Sequence, residues 1–112
     1  MSEVDPVEVE QCRSLAAAWA PMLRALGHSE RLLIVLWLAG GERSVRELED
    51  ATGLGQSAVS YHLAQLRAAE LVIGTAHGRS NHYRLASTEL DDLATRLGTV
   101  LPRPPASDSP SP

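Results

Sequence analysis

Leu15, Trp19, Met22, Leu23 and Leu26 recur at i, i+4, i+7, i+8 and i+11, which makes one apolar stripe of a helix over residues 4–26. Pro21 falls inside that stripe and is expected to kink or split the helix, because it has no amide proton and its ring crowds the preceding turn. Gly27 and His28 interrupt the pattern, and Ser29 is the expected N-cap of a second helix over residues 29–39. The centre of that segment, LLIVLWLA, is apolar all round. Periodicity does not separate a buried helix from a buried strand there, and the length of the segment favours helix.

Gly40 and Gly41 mark a turn. Ser44 and Glu47 then have capping-box spacing, with Ser44 as cap and Glu47 reaching back to its amide. A short third helix follows, burying Val45, Leu48 and Ala51, and Gly53 is suited to end it in a left-handed turn. A fourth helix spans residues 55–69 with Val59, Leu63 and Leu66 inward, so the third and fourth helices form a helix-turn-helix pattern. The period then changes to two. Residues 71–73 and 83–85 read as arms of a β-hairpin with a Gly-rich tip. Ser87 or Thr88 is expected to cap a last helix, with Glu89, Asp91 and Asp92 in its first turn. Its stripe is Leu90, Leu93, Ala94, Leu97, Val100 and Leu101. From Pro102 onward the chain is PRPPASDSPSP, a composition that cannot bury enough apolar surface to order itself. The reading is one domain over residues 1–101 and a disordered tail over 102–112.

Composition adds four constraints. The chain has 112 residues and no Phe, so Leu, Ala and Val carry a thin core that dimerisation would help. Cys12 is the single cysteine, which rules out an internal disulfide and a Cys-only metal cage. The longest apolar run is too short for a bilayer, and the acidic N-terminus has no signal-peptide pattern, so the expectation is a cytoplasmic chain without membrane attachment. Net charge is −4, which alone speaks against nucleic acid. Its distribution says otherwise: residues 56–84 carry Arg67, Arg79 and Arg84 against Glu70 alone, and hold three of the four histidines.

The fourth helix, GQSAVSYHLAQLR, carries hydroxyls, amides and a tyrosine where a solvated face would carry Lys and Glu. Together with the order helix, helix, helix-turn-helix, hairpin, helix, the stretch from about Leu26 to Leu85 resembles the ArsR/SmtB family of bacterial transcription regulators. The block QSAVSYHLAQLRAAELV is its most specific part. The resemblance implies a mainly α fold with a small β-hairpin, a winged helix-turn-helix of order α-α-α-α-β-β-α, acting as a homodimer. It implies a double-stranded DNA operator as partner, read by the helix over residues 56–69 and by the wing over 72–84. Gln56, Ser57, Ser60, Tyr61 and Gln65 are then the candidate base-edge and groove residues. Arg67 and Arg79, with Arg84, are the candidate phosphate or minor-groove cations. Tyr61 stands where many relatives carry His. His62 flanks the buried stripe and favours packing over base contact.

Many members of that family release DNA when a metal binds. One familiar site uses Cys-Val-Cys at the start of the third helix, where this chain has Ser44, Val45 and Arg46. Another uses Asp and His early in the last helix, where it has Ser87 and Glu89. Neither is intact. No cofactor is therefore assigned, although a divalent metal such as nickel or zinc is conceivable at His77 and His82 on opposite hairpin arms, or with Glu89. Their spacing matches no established ligand pattern, which favours structural use or plain exposure. No catalytic set of residues is apparent, so an enzyme is not expected. The alternative to DNA binding is a winged helix used as a protein-interaction module.

Overall fold

The structure, a computed structural model, describes residues 4–100. Helix α1 runs over Pro6–Leu26. Asp5 caps it by accepting from the Val7 amide at 2.9 Å, and Pro6 occupies the first turn, where a missing N–H costs nothing. Contrary to the splitting allowed for from the sequence, α1 continues through Pro21. Ala17 and Pro21 are both exposed, so the turn that loses a helical hydrogen bond lies on the solvent side of the helix. Trp19, Met22 and Ala25 are buried, whereas Leu23 of the expected stripe is 48% exposed.

Helix α2 spans Ser29–Leu38, which settles the choice between helix and strand. Its cap is His28, not Ser29. The extended backbone at position 28 lets Nδ1 of His28 accept from the Glu30 amide at 3.3 Å, and Ser29 becomes the first helical residue. Ile34, Val35 and Leu38 enter the core, while Leu32, Leu33, Leu36 and Trp37 remain exposed in the single chain.

A two-residue strand that the sequence pattern did not reveal, β1 (Arg43–Ser44), leads directly into α3 (Val45–Thr52). The capping box is present in both directions: the Ser44 amide donates to Glu47 Oε1 at 2.8 Å, and the Glu47 amide donates to Ser44 Oγ at 3.0 Å. Gly53 closes α3 at φ 75°, a conformation that costs a residue with a Cβ about 1–2 kcal/mol. Helix α4 is Gln56–Ala68, with Gly55 as its cap.

Strands β2 (Val72–His77) and β3 (Ser80–Leu85) are twice the length expected, since only Gly78 and Arg79 lie between them and Gly78 takes φ 63°. The sheet is antiparallel throughout in the order β1-β3-β2, with Arg43 opposite Tyr83, Ser44 opposite His82 and Gly74 opposite Tyr83. Helix α5 covers Ser87–Val100. Leu93 is buried and Leu90 half-buried, but Leu97 is 46% exposed. The proposed caps Ser87 and Thr88, the side chains of Glu89 and Val100, and the tail from Leu101 lie outside what the structure describes.

The centre is formed by Ile34, Leu48, Val59, Leu63, Leu66 and Leu71, each less than 2% exposed. These residues come from α2, α3, α4 and the start of the hairpin. Burying one such side chain is worth roughly 1.5–3 kcal/mol. This cluster holds α4 by one face and leaves its opposite face outside.

Candidate nucleic-acid interface and a histidine cluster on the wing

On α4 the inward positions Val59, Leu63 and Leu66 are sealed, which fixes the rotation of the helix. Gln56, Ser57, Ser60 and Tyr61 are consequently exposed, Tyr61 by 57%, and Gln65 is half-buried at the edge. Gly55 offers no side-chain cap, so the amides of the first turn stay available at the positive end of the helix dipole. Small side chains at 57, 60 and 64 keep this surface low, which lets backbone come close to whatever occupies it.

The wing completes the surface. Gln56 and Ser60 share a cleft with Arg46 of α3 and with Arg79, Asn81 and Tyr83 of the hairpin. Arg67, at the other end of α4, borders a second cleft with Gly74, Thr75 and Tyr83. Arg67, Arg79 and Arg84 are all exposed. Thus Gln56, Ser60 and Arg79 are brought together, Ser57 and Tyr61 are exposed on the same helix, and Arg67 borders an adjoining cleft that shares Asn81 and Tyr83 with the first. Arg46 was not among the residues singled out from the sequence. Its signal was available: it is a cation in the first turn of the helix that precedes α4.

His62 is the buried exception on α4, 5% exposed, as its packing position suggested. Its Nε2 is 3.7 Å from Glu30 Oε1, and its ring lies 4.8 Å from that of His28, centroid to centroid. Burial lowers its pKa from the ordinary histidine value, and the neighbouring His28 adds to the shift while Glu30 opposes it. Its buried Nδ1 has no hydrogen-bond partner among the described residues.

His77 and His82 do meet. Thr75, not His77, is opposite His82 in register, so the two histidines are diagonal neighbours on one face of the hairpin. Their rings are 4.5 Å apart. The third member is Glu42, whose Oε2 lies 3.3 Å from His77 Nε2 and 3.5 Å from His82 Nδ1. Sequence reasoning missed Glu42 because it reaches the wing only through the β1–β3 pairing. At the third-helix position, the Ser44 hydroxyl is engaged as a helix cap and Val45 and Arg46 offer no ligand atom, so those residues do not suit a metal.

A polar, shallow-surfaced second helix held behind a helix-turn and flanked by a three-stranded wing defines the chain as a winged helix-turn-helix protein. Residues 28–73 match the family model for bacterial regulatory proteins of the arsR family. The chain is 35% identical over 92 residues to the transcriptional activator HlyU of Vibrio cholerae, covering 82% of this chain and 85% of that protein. It belongs to the ArsR family. It is also 44% identical over 78 residues to the transcriptional repressor SmtB of Mycobacterium tuberculosis, covering 70% of this chain but only 58% of that repressor. Among solved structures, reduced HlyU from Vibrio cholerae superposes with a TM-score of 0.70 at 32% identity, covering 84% of this chain and 99% of the other. A homodimeric winged helix-turn-helix DNA-binding domain from Mycobacterium bovis superposes with a TM-score of 0.66 at 28% identity, covering 89% of each chain.

Proposed function

We propose that this chain is a sequence-specific, double-stranded DNA-binding regulator of transcription that acts as a homodimer in the cytoplasm. Residues 1–101 would form the binding and dimerisation unit, and residues 102–112 a separate tail. The observation that carries this reading is the exposed face of Gln56, Ser57, Ser60 and Tyr61 on a helix whose other face is locked into the core. Gln pairs bidentately with adenine, and Ser serves several bases or a phosphate. Arg79 on the wing and Arg67 beyond it are exposed cations, and in this reading they would meet phosphates, which set register and affinity rather than sequence preference.

Dimerisation is supported by apolar side chains that one copy leaves uncovered, Val7 and Leu23 on α1 and Leu97 on α5. A groove between these helices, lined by Val7, Leu15 and Arg96 among others, extends that surface. Two copies related by a twofold would carry their α4 helices to half-sites about 34 Å apart, one turn of DNA. The relatives include both a named activator and a named repressor, so either direction of control is compatible with the fold. The described helices include none long and apolar enough to cross a membrane.

Selection of duplexes from a random pool, followed by anisotropy titration of the selected sequence, tests the assignment. Wild-type chain should enrich a two-part site, and the Ser57→Ala/Tyr61→Ala variant should lose both affinity and base preference. If nothing is enriched and duplex binding disappears at physiological salt, the chain is instead a protein-interaction module.

A further inference from the structure

We propose that Glu42, His77 and His82 form a zinc site that fastens the wing to the entrance of the helix-turn-helix, a site whose regulatory meaning rests on the DNA-binding reading above. One ligand atom from each residue lies within 4.8 Å of the other two. The two separations measured from Glu42 Oε2, 3.3 and 3.5 Å, match the edge of a zinc tetrahedron, about 3.3–3.4 Å for ligands about 2.0–2.1 Å from the metal. An octahedral ion with similar bond lengths would want roughly 3.0 Å between adjacent ligands. Two imidazoles and one carboxylate form a ligand set suited to zinc, with the fourth position left for water or another donor.

The three side chains are partly open to solvent, between 26% and 53%, so an ion can enter. Arg43, next to Glu42, is directed elsewhere: its Nε donates to the Trp37 carbonyl at 3.3 Å and its guanidinium lies 5.6 Å from the Trp37 ring. One carboxylate oxygen therefore faces two imidazoles. Partly exposed contacts of this kind contribute about 0–1 kcal/mol by themselves, so a bound ion would be the main tie between these three side chains.

The position of the site gives it leverage. Glu42 immediately precedes β1, and Ser44 at the end of β1 is both the partner of His82 and the cap of α3. Arg79 follows His77 by two residues across the hairpin turn. A zinc ion here bridges a two-residue strand that would otherwise fray, and holds Arg79 beside Gln56 and Ser60 with added positive charge. Through that positioning and charge, zinc should tighten duplex binding, and by reciprocity the duplex should tighten zinc; an affinity that falls or stays the same with Zn²⁺ would overturn this role.

The test uses tag-free full-length chain titrated with Co²⁺ as a spectroscopic stand-in and with Zn²⁺ in competition against a chromophoric chelator. One ion per chain and the intense visible absorption of tetrahedral Co²⁺ are expected. Glu42→Gln should weaken Zn²⁺ at least about tenfold, since even outer partners of a metal site are worth about 10–100-fold. His77→Asn/His82→Asn should abolish binding with an unchanged far-UV spectrum. His28→Asn, which alters the other histidine–carboxylate group, should bind like wild type. Weak octahedral absorption, uptake that survives the wing variant, or uptake lost in His28→Asn would overturn the site. Anisotropy on one selected duplex, with and without Zn²⁺, separates the two proposals. Zinc uptake by a chain that binds no duplex leaves the site and removes the regulator. Duplex binding with no uptake does the reverse.

Discussion

The Leu71 amide donates to the Leu66 carbonyl at 2.9 Å, across a Glu70 that sits at φ 60°. The Glu70 amide donates to the Arg67 carbonyl at 2.9 Å, so α4 ends in a Schellman turn with glutamate at the left-handed position. Leu66 and Leu71, both sealed in the core, supply the apolar contact that usually accompanies that turn.

Glu70→Gly should therefore stabilise the chain. Relief of the left-handed penalty is about 1–2 kcal/mol, partly offset by about 0.4–1 kcal/mol from the freer unfolded chain. The melting midpoint should rise by a few degrees in a calorimetric scan. A fall would mean that the Glu70 side chain contributes something beyond the turn.

Ser44→Ala should cost about 1 kcal/mol, since it leaves a first-turn amide of α3 without its side-chain acceptor. The Ser44 amide and hydroxyl hold the Glu47 carboxyl below its ordinary value of 4.5. That contribution is present above the unfolded value and is lost as pH falls through the lower folded one. Denaturant melts between pH 5 and pH 3 should show a shallower acid dependence in Ser44→Ala than in wild type.

His62 gives the opposite chemistry with the same sense of pH. Its folded pKa lies below 6.5, chiefly through burial, so the unfolded chain binds the proton more readily. Stability from the neutral imidazole is present above about pH 6.5 and falls as the solution is acidified. Midpoints measured from pH 7.5 down to pH 5.5 should decline, and His62→Gln should flatten that decline. A midpoint that rises on acidification would show that Glu30 outweighs burial.

Arg79→Ala should weaken duplex binding about equally for preferred and unrelated sequences, and lower the salt slope by roughly one. Arg67→Ala should act the same way, since Arg67 borders the adjoining cleft. A change in base preference from either variant would reassign that arginine to base contact.

Helix α4 was legible because three buried residues at helical spacing fix its rotation, and a polar face with few charges is unusual enough to notice. The capping box and Gly53 were legible for a similar reason, since each is local. What escaped was short or distant. Strand β1 has only two residues, below the length at which a period can be read, and it exists because β3 pairs with it. Glu42 was hidden with it, 35 positions from His77 in the chain. The α2 cap was misplaced because His28 is not a usual cap residue, although its Nδ1 serves. Pro21 does not split α1, since a helix at the surface can leave one hydrogen bond to water.

Val7, Leu23 and Leu97 stand uncovered on a single copy. If pairing hides them, operator occupancy follows the abundance of the chain steeply: well below the dissociation constant, halving the protein leaves about a quarter of the pairs. A cell could then silence or release its target by modest changes in synthesis or turnover, with no small-molecule signal at all.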